Sequence, residues 1–140
     1  MRRLALAALV LAGCARPEAE TAGRILALEP ETLVVWLETG RSACLLDLRP
    51  DSLYRPGHLP GAMPIHGKRI SDLRDVLPTD PDVPLVFYNE DGVPPPEDRD
   101  PAWEAAHRFR FPRVYWLDGG LAAWTALGEG TDGYKDPSPR

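Results

Sequence analysis

The run Leu85-Val86-Phe87-Tyr88 is apolar at every successive position, so neither face of a strand built from it can be left to water. A strand covered on both faces is the mark of a parallel sheet sandwiched between helices. Residues 43–48 (ACLLDL) repeat the pattern with a single acid, and residues 25–28, 62–65 and 114–117 offer three shorter strands. Helical spacing fills the intervals. Pro30 opens a helix that carries Leu33, Trp36 and Leu37 as far as Gly40. Ile70, Leu73 and Leu77 mark a brief helix closed by Pro78. Ala102, Ala105, Ala106 and Phe109 fall at i, i+3, i+4 and i+7. Leu121, Trp124 and Leu127 form a last helical face after the turn Gly119-Gly120. Strands alternating with helices predict one α/β domain with an about five-stranded, mainly parallel sheet flanked by helices.

The strand at residues 83–88 ends abruptly in a polar loop, residues 89–101. In an alternating fold, the crevice beyond a strand's carboxyl end is where ligands and catalytic groups gather. This loop holds Glu90, Asp91, Glu97, Asp98 and Asp100 against Arg99 alone, and Pro94, Pro95 and Pro96 within it have no N–H to donate. Excess negative charge opposes an anionic ligand. Acids at residues 90–100 also raise the alternative of hard-oxygen ligands for calcium, although their spacing fits no EF-hand. His66 and His107 have no partners at metal-ligand spacing and are read as surface or interface residues.

The first 13 residues read as a signal. Arg2 and Arg3 precede an apolar run at residues 4–11 that is too short to span a bilayer, for which about 20 residues are needed. Leu11-Ala12-Gly13-Cys14 resembles the lipobox of bacterial lipoproteins. That resemblance implies diacylglyceryl attachment at Cys14, cleavage before it and acylation of the new amino terminus, and several acyl chains give stable anchoring. The alternative is a plain secretory cleavage that leaves a free thiol. Residues 14–23 read as a tether, 24–129 as the domain and 130–140 as a flexible tail. Ala15 after the cysteine points to the periplasmic face of an outer membrane. Loss of the signal leaves 127 residues, enough for one core, and takes the formal charge from −5 to −7. So acidic a domain is a poor partner for nucleic acid, and the partner of a binding or scaffolding role would be an unknown protein. With Cys14 acylated, Cys44 is the one thiol left, so no disulfide, zinc site or redox pair forms within the chain.

Two segments carry a family resemblance. Leu46-Asp47-Leu48-Arg49 with Tyr54-Arg55-Pro56-Gly57-His58-Leu59-Pro60-Gly61-Ala62 resembles the first signature of rhodanese-like domains. Trp116-Leu117-Asp118-Gly119-Gly120 with Trp124 resembles their closing pattern. Read physically, Asp47 and Arg49 can pair at a strand end. Gly57 and Gly61 permit the turn, and Pro56 and Pro60 stiffen it. His58 can bond the backbone locally, against the alternative that it is catalytic.

In that family the central strand ends in a cysteine that carries sulfur as a persulfide inside a cradle of loop amides. Asn89 occupies that position here, and an amide forms no thiolate. A branch linked to quinoprotein systems carries C-x-x-C-W. Aligned on Trp103, its cysteines would fall at Arg99 and Ala102, so that register supplies no sulfur either. The resemblance therefore implies a domain without sulfurtransferase activity or cofactor, acting as a binding or scaffolding module. Two rivals stand beside it. One is an active sulfurtransferase using Cys44, although the apolar run around Cys44 predicts a buried, inert thiol. The other is a calcium-dependent assembly module.

Overall fold

A computed structural model describes residues 22–133. Cys14, its signal peptide and most of the tether lie outside those residues. The five strands are β1 (Ile25–Leu28), β2 (Cys44–Asp47), β3 (Met63–Pro64), β4 (Leu85–Tyr88) and β5 (Val114–Leu117). They form one sheet in the order β1-β5-β4-β2-β3, and every pairing is parallel. The sheet is thus wholly rather than mainly parallel. β4 lies at its centre, which explains a run with all four residues buried.

Side chains alternate across a strand. Leu85 and Phe87 enter one core with Ala102, Ala105 and Ala106, while Val86 and Tyr88 enter the other with Leu33, Leu121 and Trp124. The second core is closed by α1 (Pro30–Glu38) and the last helix, Gly120–Ala126. The first is closed by a 3-10 turn at Ile70–Leu73 and by the chain at Pro101–Arg108.

Four local expectations change. The segment after β2, read as loop, contains a one-turn helix, α2 (Asp51–Tyr54), because Pro50 O accepts from both Leu53 N and Tyr54 N. β3 spans two residues rather than four. The helix expected from Ala102 to Phe109 is a short α3 (Pro101–Trp103) that widens into a π-helix over Glu104–Arg108. There Phe109 N donates to Glu104 O at 3.1 Å, five residues back. The first residues of the expected tail are held by the fold. His58 and Asp132 exchange both backbone hydrogen bonds (2.8 and 2.9 Å), and Trp124 Nε1 donates to Gly130 O. Residues 130–133 are therefore held against the His58 turn. The last helix, Gly120–Ala126, is α4.

Candidate functional site

The carboxyl end of β4 delivers Asn89 into a tight loop that satisfies itself. Asn89 Oδ1 accepts from Gly92 N (2.8 Å) and Asn89 Nδ2 donates to Val93 O (2.6 Å). Asp91 Oδ1 accepts from Val93 N (3.0 Å), and Trp116 Nε1 donates to Gly92 O (2.8 Å). The loop carbonyls are used as well. Asn89 O and Glu90 O accept from Leu121 N and Ala122 N in the first turn of α4, each at 2.9 Å. That approach needs glycine, since a Cβ on Gly120 would lie 2.5 Å from Asn89 O and 2.7 Å from Gly92 N. The closing Gly119-Gly120 signature therefore holds the loop by backbone contact.

Behind the loop lies a buried polar network built by the first signature. Asp47 is fully buried, and Arg49 meets it through Nη2 at 2.9 Å and Nε at 3.2 Å. Tyr88 donates its hydroxyl to Asp47 Oδ2 (2.6 Å) and accepts from Leu59 N (3.1 Å). Burial, and after it the bond to Asp47, pushes the Tyr88 hydroxyl far above its ordinary range, so it remains a fixed donor. Arg49 also donates to Gly57 O (2.6 Å) and reaches Glu90 Oε2 (3.1 Å). One guanidinium thus joins β2, the Gly57 turn and the Asn89 loop. His58 stacks on Tyr54 with ring centroids 3.9 Å apart, and its Nδ1 lies 2.9 Å from Tyr54 O. It braces the turn locally.

In front of Asn89 opens a groove of about 500 Å³. One wall is the turn at residues 65–69, and the other runs from Val93 through Pro95 and Trp103 to Arg108. Its charge differs from that of the loop counted alone. Lys68, Arg69, Arg99 and Arg108 line it together with Glu97, Asp98, Asp100 and Glu104. Asp100, held above the usual carboxylate range by burial, caps α3 by accepting from Ala102 N (2.9 Å). Glu104 is nearly buried and accepts from Ile70 N (3.3 Å) and Arg69 Nη2 (3.5 Å). Glu90 faces Arg49 and Asp91 caps Val93 N, and the groove as a whole carries four basic and four acidic side chains, so the loop's negative excess does not extend across it. Of the loop's own acids, Asp100 alone is buried. Lys68, Arg69, Glu104 and Arg108 gave no motif signal, because separate segments bring them together beside Trp103.

The remaining expected sites lie apart. Among the described residues, no three His, Cys, Asp or Glu side chains converge as a metal ion would require. His66 and His107 are exposed, with Nδ1 lying 3.0 Å from Leu48 O and 3.1 Å from Trp103 O. Cys44 is half-buried rather than fully buried, and burial pushes its thiol up to about 11. It opens β2 opposite Leu85, four residues before Asn89 on β4, about 13 Å away at strand rise.

Comparison with known proteins agrees with this architecture. The family model described as "Rhodanese-like domain" matches residues 29–127. No curated protein matches the sequence. A crystal structure of an Anabaena protein is 30% identical over 76% of this chain and 91% of its own, with a TM-score of 0.58. A Bacillus halodurans protein is 22% identical over 77% of each chain (TM-score 0.64). Part of a 3-mercaptopyruvate sulfotransferase from Escherichia coli is 18% identical, covering 82% of this chain and 54% of that enzyme (TM-score 0.61). The last two show the fold alone. With the family model spanning most of the chain and both signatures placed around one sheet end, the chain belongs to the rhodanese-like domain family.

Proposed function

We propose that this protein is a rhodanese-like binding or scaffolding module without sulfurtransferase activity, anchored in the bacterial envelope by lipid on Cys14. The observation that carries the reading is Asn89. Its side chain stands where the family has a nucleophile, and its carboxamide oxygen takes the Gly92 amide that an anion would otherwise need. Proline at 94–96 removes three further donors. The support is thus the amide accounting rather than charge repulsion. Cys44 is a poor substitute. Its thiol is protonated at neutral pH and sits at the other end of the sheet from the loop. Glu90, Asp91 and Asp100 are turned to separate backbone and side-chain partners, and among the described residues no three acids converge as a calcium cage would require.

The test is thiosulfate:cyanide sulfurtransfer by the full-length protein in detergent. Background rates are expected, for the wild type and for Cys44→Ser alike. Robust turnover that survives Cys44→Ser would overturn the inactive reading, and turnover abolished by it would establish the Cys44 enzyme instead. Anchoring rests on Leu11-Ala12-Gly13-Cys14 and is tested separately below.

A further inference from the structure

After α4 the chain turns at Gly128 and comes back against the first signature. Trp124 Nε1 donates to Gly130 O at 3.0 Å. Beyond that bond, His58 and Asp132 exchange both backbone hydrogen bonds, and Asp132 Oδ2 accepts from Gly61 N at 3.2 Å. The approach is close along its whole length. A Cβ on Gly57 would lie 3.0 Å from Thr131 Oγ1, and one on Gly133 would collide with Pro56 O and lie 2.7 Å from Pro56 C. Yet residues 131–133 are exposed and belong to neither core. Such a segment can open locally while both cores stay folded.

The turn at residues 56–61 is tied on its other side to the end of the sheet. Gly57 O accepts from Arg49 Nη2 at 2.6 Å, and the same guanidinium donates through Nη1 to Glu90 Oε2 at 3.1 Å. Glu90 follows Asn89 in the chain, and Asn89 and Val93 line the groove. A continuous run of contacts therefore leads from Asp132 through the turn and Arg49 to the loop. Leu59 N also meets the Tyr88 hydroxyl, but both residues are fully buried and stay in place when an exposed segment opens. Gly57 is only half-buried, so its bond to Arg49 is the contact that can give.

We propose that residues 131–133 form a detachable clasp that, by holding the turn at residues 56–61, sets the position of the Asn89 loop and so the shape of the groove. With the clasp closed, Arg49 is fixed by Asp47 and Gly57 O and holds Glu90. With it open, the guanidinium is left on Asp47 alone, and its link to the 57% exposed Glu90 carboxylate loosens. Coupling of this kind travels through contiguous bonded groups that have two discrete arrangements. The clasp acts on the loop whether or not the loop carries chemistry, so it stands apart from the non-catalytic reading.

The test is amide hydrogen exchange of the full-length protein in detergent, read residue by residue by NMR. It is compared with a chain ending at Gly130, which loses the clasp but keeps the Trp124 bond and with it any route through α4. Exchange at Gly61, and at Gly92, whose N–H is held by Asn89 Oδ1, is expected to speed up at least about tenfold, the scale of one lost hydrogen bond. Leu85 N, bonded to Arg113 O at the far end of the sheet, should keep its wild-type rate. A chain ending at Gly133 keeps the clasp and should exchange like the wild type. In Glu90→Ala, where the relay is already cut, loss of the clasp should change Gly92 by less than about threefold. If the shortened chain does not fold, Asp132→Pro serves, because it deletes the N–H given to His58 O. Faster exchange confined to residues 57–61 would overturn the proposal, since the clasp would then brace the turn alone. An equal rise at Leu85 would overturn it as general loss of stability. So would an undiminished effect in Glu90→Ala, or the same acceleration in the chain ending at Gly133.

Discussion

The carboxamide of Asn89 makes two bonds within its own loop, one as acceptor and one as donor. Asn89→Ala removes both and leaves the half-buried Gly92 N–H without its acceptor. At about 0.5–1.5 kcal/mol for each net hydrogen bond, we expect a loss of about 1–2 kcal/mol in urea unfolding with an unchanged slope. A neutral result would mean that α4 alone holds the loop. Cys44 offers a sharper reading. Burial raises its thiol from 9.0 to about 11, so the folded state holds the proton more tightly and keeps less thiolate at any pH below that range. At pH 8 the two-unit difference corresponds to about a hundredfold less thiolate. Iodoacetamide labelling of Cys44, followed by mass spectrometry, should therefore be slower by about that factor in the folded protein than in urea. Equal rates would show that the thiol is open to solvent.

Between elements, the decisive contact is that of α4 with the Asn89 loop. Gly120 has φ +61°, and an added Cβ would meet Asn89 O and Gly92 N at 2.5 and 2.7 Å. Both are backbone atoms that cannot swing aside. Gly120→Ala should therefore cost at least about 2–3 kcal/mol, combining backbone strain with overpacking, and thermal unfolding would register it. A silent substitution would mean that the loop can leave α4 freely. The strands were readable beforehand because a run such as Leu85–Tyr88 must be buried on both faces whatever its neighbours are. The π-helix was not, since Ala102, Ala105, Ala106 and Phe109 fit α spacing. The widened turn depends on Phe109 N reaching Glu104 O while Phe111 N takes Ala105 O. The loop's formal charge was equally plain, but its meaning was not. Glu90 faces an arginine 41 residues away, and Glu104 turns inward to Ile70.

For the whole molecule, parallel strands fix an orientation. Ile25, Cys44, Leu85 and Val114 all begin their strands at one end of the sheet, while Asn89 follows the opposite end. The chain therefore enters the domain at Gly23–Ile25, about a strand's length of 13 Å from the level of the groove. An anchor at Cys14 would therefore join the domain at the end of the sheet opposite the groove. Two measurements check this arrangement. In a host that processes lipoproteins, the wild type should enter the detergent phase of Triton X-114, carrying acyl chains on Cys14 by mass spectrometry, and Cys14→Ser should lose that acylation and shift toward the aqueous phase. Unchanged partitioning of the variant would remove the anchor. Trypsin cleavage after Arg99, whose side chain is 76% exposed at the groove, should then proceed equally fast for the vesicle-bound and the detergent-solubilised wild type. Protection on vesicles alone would place the groove against the membrane.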